Sequence, residues 1–190
     1  MPKQKVQVIH NDVNAPKKAG GGNFMIIHDE AVNPNICSGI ISKFEEIPIV
    51  EMIEEEGNKF LPVDEAYHKK THRYKSQGRI HGNIYPGPFF DEIFDMVGFA
   101  LPKGIEFGEV NYVQIIKYPE GTHFPWHMDI ADDKDSGTAI LFLNDNFVGG
   151  DLNVGGHRFK TKQGTVVGFN NSTKVFHTVE PIWKGSRYCL

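Results

Sequence analysis

The sequence has 190 residues and a formal net charge of −4 at pH 7, which argues against a general polyanion-binding protein. Hydrophobic residues make up 39% of the chain and charged residues 23%, which is typical of a soluble globular protein with one domain. The first residues lack the apolar stretch of a signal peptide, and two cysteines cannot form a disulfide framework. We therefore expect a cytoplasmic protein with reduced thiols.

The chain begins with a segment that predicts little regular structure. Residues 1–23 are mostly polar and contain a run of three glycines, as is typical of a flexible arm. The alternation of Val6 and Val8 leaves an edge strand open as an alternative. A short apolar strand is predicted next, at residues 24–27.

Two amphipathic helices are predicted in the rest of the first half. The first has Asn33 as its N-cap and Pro34 at the first helical position, followed by apolar residues at helical spacing. The second covers residues 89–97, which follow a Gly-Pro pair. We expect residues 24–108 to form a helical support region with loops on the substrate side.

From residue 109 onward the sequence predicts short β-strands. Six apolar segments alternate with clusters of Gly, Pro, Asn and Asp, at residues 110–118, 138–143, 151–154, 164–169, 174–179 and 187–190. Short strands at near-regular spacing, after helices confined to one end, predict a sandwich or barrel packed against helices. We expect residues 24–190 to form one mostly β domain with N-terminal helices, in the α+β class.

Three side chains in the β-rich half have the chemistry of a metal site. His127 and Asp129 are two residues apart, so on a strand they point to the same face, and His177 lies on another predicted strand. Two imidazoles and a carboxylate are the facial triad of non-haem Fe(II) oxygenases, which leaves positions open for a co-substrate and O₂. Zinc accepts the same ligands, so ligand type alone leaves the metal open.

Arg187 follows His177 by ten residues, beyond a predicted turn at residues 181–185 that could return the chain antiparallel beside it. A guanidinium binds a carboxylate through two parallel hydrogen bonds, which a lysine cannot do. A cation near a metal with open positions suits a dicarboxylate that chelates the metal at one end. The alternative is a surface arginine near the end of the chain.

These motifs resemble the Fe(II)- and 2-oxoglutarate-dependent dioxygenases, in particular the prolyl-4-hydroxylase-like branch. The resemblance covers residues 109–190 and rests on Tyr118-Pro-Glu-Gly, His127-Met-Asp129, Leu141-Phe-Leu-Asn144, Gly149-Gly-Asp-Leu152, Gly164-Thr-Val-Val-Gly-Phe169, His177-Thr-Val-Glu-Pro181 and Gly185-Ser-Arg187. It implies that residues 109–190 form a double-stranded β-helix (jelly-roll) catalytic core.

The resemblance also implies the site. His127, Asp129 and His177 would bind Fe(II), and Arg187 would bind the distal carboxylate of 2-oxoglutarate. Hydroxylation of a C–H bond would consume O₂ and release succinate and CO₂, with ascorbate as an optional further cofactor. No side-chain general base is expected, and no catalytic residue is expected beyond the metal ligands.

The sequence departs from the family at one position of the co-substrate pocket. Where relatives commonly have a tyrosine whose hydroxyl helps to bind the distal carboxylate, this chain has Phe142. Arg187 would then need another partner, for which Tyr118 and Thr138 are the candidates. Tyr118 also falls where family members often have a tyrosine that lines the co-substrate pocket.

A basic tract at residues 68–79 raises the question of a nucleic-acid partner. It contains five basic residues and no acidic one, namely Lys69, Lys70, Arg73, Lys75 and Arg79. Such a tract with tyrosines nearby could bind phosphates and stack bases. The alternative is a solvated loop or helix face.

Three functional hypotheses remain open from the sequence. The first is an oxygenase that hydroxylates a protein or peptide side chain, with proline as the first candidate. The second is the same chemistry applied to an alkylated nucleic-acid base, and the third is a non-catalytic, cupin-like metal-binding module. No membrane partner is expected.

Overall fold

The protein is described by a computed structural model. It describes residues 6–9, 25–55, 58–60, 72–84, 93, 113–129, 137–160, 162–170 and 175–190. Within these ranges no helix is both long enough and apolar enough to cross a membrane. The predicted arm at residues 1–23 lies outside the described residues except for residues 6–9, and the predicted second helix lies outside them except for Ile93, which is helical and buried.

The described residues form short strands and one helix. The helix is α1 (Pro34–Glu46). The strands are β1 (Val6–Ile9), β2 (Met25–His28), β3 (Ile49–Val50), β4 (Ile53–Glu55), β5 (Asn58–Phe60), β6 (His72–Ser76), β7 (Arg79–Ile84), β8 (Val113–Tyr118), β9 (Phe124–His127), β10 (Gly137–Leu141), β11 (Val148–Gly149), β12 (Leu152–Val154), β13 (His157–Phe159), β14 (Val166–Asn170), β15 (His177–Val179), β16 (Ile182–Lys184) and β17 (Arg187–Cys189).

Two groups of strands join into one large layer. The first has the order β1-β2-β14-β10 and the second the order β17-β8-β7-β6-β3. Backbone hydrogen bonds link the two groups, since Leu141 and Leu190 exchange N–H···O bonds of 2.7 and 2.9 Å. The alternation of Val6 and Val8 suggested an edge strand as an alternative to a flexible arm. The structure has this strand as β1, which pairs antiparallel with β2.

A smaller sheet with the order β13-β12-β15-β9 faces this layer. Apolar side chains from both fill the space between them, including Met25, Tyr118, Phe142, Leu152, Val154, Val167, Phe169, Val179, Ile182 and Cys189. Two layers that are antiparallel except for the parallel pair of β3 and β6, around one apolar core, make a β-sandwich of the jelly-roll type. The predicted mostly β fold class with this core is confirmed.

Helix α1 begins as the sequence predicts. The Asn33 side chain accepts a hydrogen bond of 2.8 Å from the Asn35 N–H, which satisfies a free donor of the first turn. The helix buries Cys37, Ile40 and Phe44 against the outer face of the large layer. Here the sheet has a glycine, Gly82, because a Cβ there would lie 2.6 Å from the Phe44 ring.

The region between the helix and β8 contributes strands that the sequence analysis did not predict. Residues 72–84 form the hairpin β6–β7, which pairs with β8 and extends the large layer. Polar residues occupy both faces of this hairpin, so the alternation of apolar and polar residues that marks a strand is missing from the sequence.

Candidate metal centre and buried cation pocket

The two histidines of the predicted triad are direct neighbours on the smaller sheet. His127 ends β9, His177 begins β15, and these two residues are opposite each other in the antiparallel register. Their ring centroids are 3.9 Å apart. Residues fifty positions apart in the sequence are therefore brought together by strand pairing alone.

Asp129 completes the cluster. One carboxylate oxygen, Oδ1, lies 3.7 Å from Nε2 of His127 and 3.6 Å from Nε2 of His177. The three ligand atoms all lie within 4.8 Å of one another. The other oxygen, Oδ2, accepts a hydrogen bond of 2.6 Å from the Thr138 hydroxyl, which fixes the orientation of the carboxylate.

The histidines present Nε2 to the cluster because their other ring nitrogen has a backbone partner. Nδ1 of His127 lies 2.9 Å from the Pro125 carbonyl oxygen, so Nδ1 carries the proton and donates. Burial lowers the pKa of His177, although the charge of Asp129 opposes that effect. A neutral imidazole with a free Nε2 lone pair is the form that binds a metal. The donor set therefore fits a divalent ion such as Fe(II), and zinc would accept it too.

Aromatic rings line the inner side of the cluster. The Phe124 ring lies 4.0 Å from the His127 ring, and the Phe169 ring lies 5.0 Å from the His177 ring, measured between centroids. His177 is only 4% exposed, whereas Asp129 is partly exposed. The cluster is therefore shielded on one side and open to solvent on the other.

Arg187 is buried in the sandwich, with 1% of its surface exposed. Its Nη1 donates to the Cys189 sulfur at 3.5 Å, but Nε and Nη2 have no hydrogen-bond partner. The guanidinium carbon lies 4.9 Å from the Tyr118 ring centroid and 5.2 Å from that of Phe142. Burying a cation whose N–H groups have no partner costs free energy, so the Arg187 guanidinium is suited to binding an anion.

Tyr118 is the cross-strand neighbour of Arg187, because β17 pairs with β8. The sequence analysis considered that the turn at residues 181–185 returns the chain beside His177. The pairing of β17 with β8 shows that it does not. Strand β16 intervenes and pairs with β11, which carries β17 over to the large layer. Burial raises the pKa of Tyr118, against the opposing charges of Arg187 and Arg79, so its hydroxyl is protonated at neutral pH.

Thr138 was the other candidate partner of Arg187, and its hydroxyl donates a hydrogen bond to Asp129. Of the two candidates, Tyr118 is the one that the structure places against Arg187.

Two of the five basic residues in the tract at residues 68–79 are buried. Arg73 is 7% exposed and donates to the Glu45 carboxylate at 2.7 Å and to the backbone carbonyls of Ile47 and Glu45. Arg79 is 4% exposed, Lys75 is exposed, and Lys69 and Lys70 lie outside the described residues. The expected nucleic-acid contacts of Arg73 and Arg79 are therefore wrong, because β-pairing turns both side chains into the protein.

Arg79 is a further residue beside Tyr118, which the sequence analysis did not place there. It precedes β8 by more than thirty residues, and only the pairing of β7 with β8 brings it to Tyr118. Its Nη1 donates to the Tyr118 hydroxyl at 3.5 Å. No local pattern separates such a buried arginine from the exposed Lys75 four residues before it.

Comparison with known proteins identifies the family of the β-rich half. Residues 113–190 match the family model described as the 2OG-Fe(II) oxygenase superfamily. No curated protein matches the chain by sequence. The matched residues include His127, Asp129, His177 and Arg187.

Solved structures of low sequence identity share the fold. A Pseudomonas putida prolyl-4-hydroxylase has a TM-score of 0.57 at 17% identity, over 87% of this chain and 89% of that one. A viral collagen prolyl hydroxylase from Paramecium bursaria Chlorella virus-1, in complex with 2OG, has 0.55 at 14%, over 90% and 95%. A prolyl hydroxylase from Trichoplax adhaerens, in complex with a peptide fragment of the hypoxia inducible factor oxygen degradation domain, has 0.56 at 13%, over 87% and 80%.

These findings confirm the predicted family, a dioxygenase as the class of enzyme, and Fe(II), 2-oxoglutarate and O₂ as the cofactors that this superfamily uses. The role of ascorbate stays a prediction.

Proposed function

We propose that the protein hydroxylates a C–H bond in a protein or peptide side chain, with proline as the first candidate. Three structural neighbours are prolyl hydroxylases, and one of them is bound to a peptide fragment. A protein or peptide is therefore the substrate class that the similarities favour. The exposed side of Asp129 provides an approach for a substrate much larger than the pocket.

The convergence of His127, Asp129 and His177 is the observation that carries this proposal. Their ligand atoms lie within 4.8 Å of one another, both Nε2 atoms face the same carboxylate oxygen, and Thr138 holds the other oxygen. In our proposal these three residues bind Fe(II). When bound, Fe(II) and 2-oxoglutarate supply the oxidising chemistry that puts one oxygen atom of O₂ into the substrate and releases succinate and CO₂.

The protein itself contributes binding, orientation and exclusion of water. Arg187 would bind the distal carboxylate of 2-oxoglutarate through Nε and Nη2, which have no partner in the protein. The protonated Tyr118 hydroxyl lies in the same pocket as a further donor. Phe124 and Phe169 keep the inner side of the cluster apolar, which strengthens the interactions of the charged groups within it.

Peptide libraries test the proposal. The protein is incubated with Fe(II), 2-oxoglutarate and O₂ together with proline-containing peptides, and peptides that gain one oxygen atom are identified by mass spectrometry. We expect such a gain with the parent protein and none with Asp129→Ala, which removes one ligand. Turnover of alkylated oligonucleotides in place of any peptide would contradict the substrate class.

A further inference from the structure

Three buried polar residues lie in one row across the large layer. In the register of β7 and β8, Ile80 is opposite Lys117, so the next position places Arg79 opposite Tyr118. On the other side of β8, Arg187 is opposite Tyr118. Residues opposite each other on adjacent antiparallel strands point to the same face of the sheet. Tyr118 is therefore flanked by an arginine on each side, within the face that lines the sandwich.

Arg79 also lies close to the candidate metal centre. Its guanidinium carbon is 3.6 Å from the Phe124 ring centroid and 5.5 Å from that of Tyr118. The Phe124 ring centroid is in turn 4.0 Å from that of His127. The same aromatic ring therefore contacts both the Arg79 guanidinium and an imidazole of the candidate triad.

The polar contacts of Arg79 are incomplete. Its Nη2 donates to the Gln77 side-chain oxygen at 2.6 Å and its Nη1 to the Tyr118 hydroxyl at 3.5 Å, which is a long contact. Its Nε is buried without a hydrogen-bond partner. Among the residues that the structure describes, no carboxylate pairs with Arg79 or with Arg187, so two buried positive charges lie beside the Tyr118 ring without a counter-ion.

A structural role explains this arrangement poorly. Arg73, on the next strand, shows how the protein satisfies a buried arginine, with a carboxylate and two carbonyls. Stacking on Phe124 offsets only part of the cost of burying the Arg79 charge. Leaving guanidinium N–H groups unpaired opposes that contribution, and an apolar side chain would fill the same space without a buried charge.

We infer that Arg79 is a second cationic anchor for the distal carboxylate of 2-oxoglutarate, beside Arg187. The hydroxyl that relatives commonly supply from the position of Phe142 is absent here, and Phe142 faces Arg187 with a ring instead. Arg79 supplies charge and donors to the same pocket from the opposite side of Tyr118. This inference rests on the proposed function, because it assumes that the pocket binds 2-oxoglutarate.

Ligand binding to the Mn(II)-loaded protein tests the inference without turnover. Isothermal titration calorimetry compares 2-oxoglutarate with 2-oxopentanoate, which keeps the metal-chelating end and lacks the distal carboxylate. Loss of charge-assisted hydrogen bonds in Arg79→Met should raise the Kd for 2-oxoglutarate ~10-fold or more and change that for 2-oxopentanoate less than ~2-fold. Arg79→Lys, which keeps the charge and the fold, should raise the Kd for 2-oxoglutarate several-fold.

Two control variants make the outcomes distinct. Arg73→Met removes a buried arginine from the opposite face of the same layer, and should leave the Kd for 2-oxoglutarate unchanged. Arg187→Met should weaken 2-oxoglutarate binding whether or not Arg79 takes part. Parent-like binding of 2-oxoglutarate by both Arg79 variants, with loss in Arg187→Met, overturns the inference alone. Absence of binding to the parent protein overturns the proposed function. Equal weakening of both ligands in Arg79→Met contradicts a role at the distal carboxylate.

Discussion

At Asp129 the two carboxylate oxygens have different partners. Oδ1 faces the Nε2 atoms of His127 and His177, while Oδ2 accepts the hydrogen bond from Thr138. The hydroxyl thus restricts rotation of the carboxylate and keeps one oxygen directed at the candidate metal centre. Thr138, which the sequence analysis considered as a co-substrate residue, therefore orients a candidate metal ligand.

We expect Thr138→Val to weaken metal binding while keeping the fold. The substitution preserves the shape of the side chain and removes only the donor, and loss of such an outer partner typically costs about 10–100-fold in metal affinity. Mn(II) titration followed by electron paramagnetic resonance measures the change. Thr165→Val is the matched control, because the Thr165 hydroxyl donates to another carboxylate, that of Asp29, far along the chain from the triad. Equal affinity of Thr138→Val and the parent would contradict this role.

The last turn of α1 is tied to three strands through one carboxylate. Glu45 accepts hydrogen bonds from Arg73 on β6, Lys117 on β8 and the Tyr188 hydroxyl on β17, at distances of 2.7 to 2.9 Å. Partial burial raises the pKa of Glu45, but these donors outweigh it and lower the pKa from 4.5 to about 2. The ionised carboxylate is therefore favoured in the folded protein.

We expect this contribution to stability to depend on acid pH. Because the folded-state pKa is lower than the unfolded one, the contribution is present above pH 4.5 and is lost as the pH falls towards about 2. Glu45→Gln should lower the free energy of unfolding at neutral pH by about 1 kcal/mol, or the Tm by roughly 2–4 °C. The Tm difference from the parent should shrink between pH 4.5 and 2, as measured by circular dichroism. Glu46→Gln, which changes the exposed neighbouring residue, is the control. A Tm difference between Glu45→Gln and the parent that does not depend on pH would contradict stabilisation by the ionised Glu45 carboxylate.

The turn between β11 and β12 sets the space around Arg187. Gly150 has a φ of +67°, and a Cβ there would lie 2.3 Å from Cδ1 of Ile182 and 3.3 Å from Cδ of Arg187. Glycine is thus required for its backbone conformation and for the close approach of the arginine stem.

We expect Gly150→Ala to displace Arg187 and weaken 2-oxoglutarate binding. Gly156→Ala is the matched control, since Gly156 has a φ of +89° with no atom within 4 Å of its Cβ position. Both variants share the backbone penalty of about 1–2 kcal/mol, but only Gly150→Ala adds crowding. Calorimetric titration of both variants with 2-oxoglutarate separates the two effects. An equal Kd in the two variants would show that crowding at Gly150 does not reach Arg187.

On the scale of the whole molecule, the parts that were predictable are those whose sequence signals are local. Strand β12 alternates buried and partly buried residues, α1 has its cap and its apolar face within fourteen residues, and His127 and Asp129 are two positions apart. Such patterns follow from the periods of the strand and the helix. The place of His177 and Arg187 in the site came from the resemblance to a family.

The hairpin β6–β7 was less predictable because the contacts that stabilise it are made with residues distant in the sequence. Arg73 is buried only because Glu45, 28 residues away, provides a carboxylate. Arg79 and Tyr118 are 39 residues apart, and the strand pairing that joins them has no signature in a polar hairpin. A run of basic residues therefore indicated an exposed patch where the fold places two buried arginines on opposite faces of a sheet.

Formation of succinate from 2-oxoglutarate tests the central claim most directly. The parent protein, supplied with Fe(II) and O₂ and no primary substrate, should convert 2-oxoglutarate slowly to succinate, as quantified by mass spectrometry. Replacement of any one of His127, Asp129 and His177 by Ala should abolish this conversion, because the ion loses a ligand, while Thr165→Val should keep it. Parent-like succinate formation by His177→Ala or Asp129→Ala would contradict the assignment of the iron site.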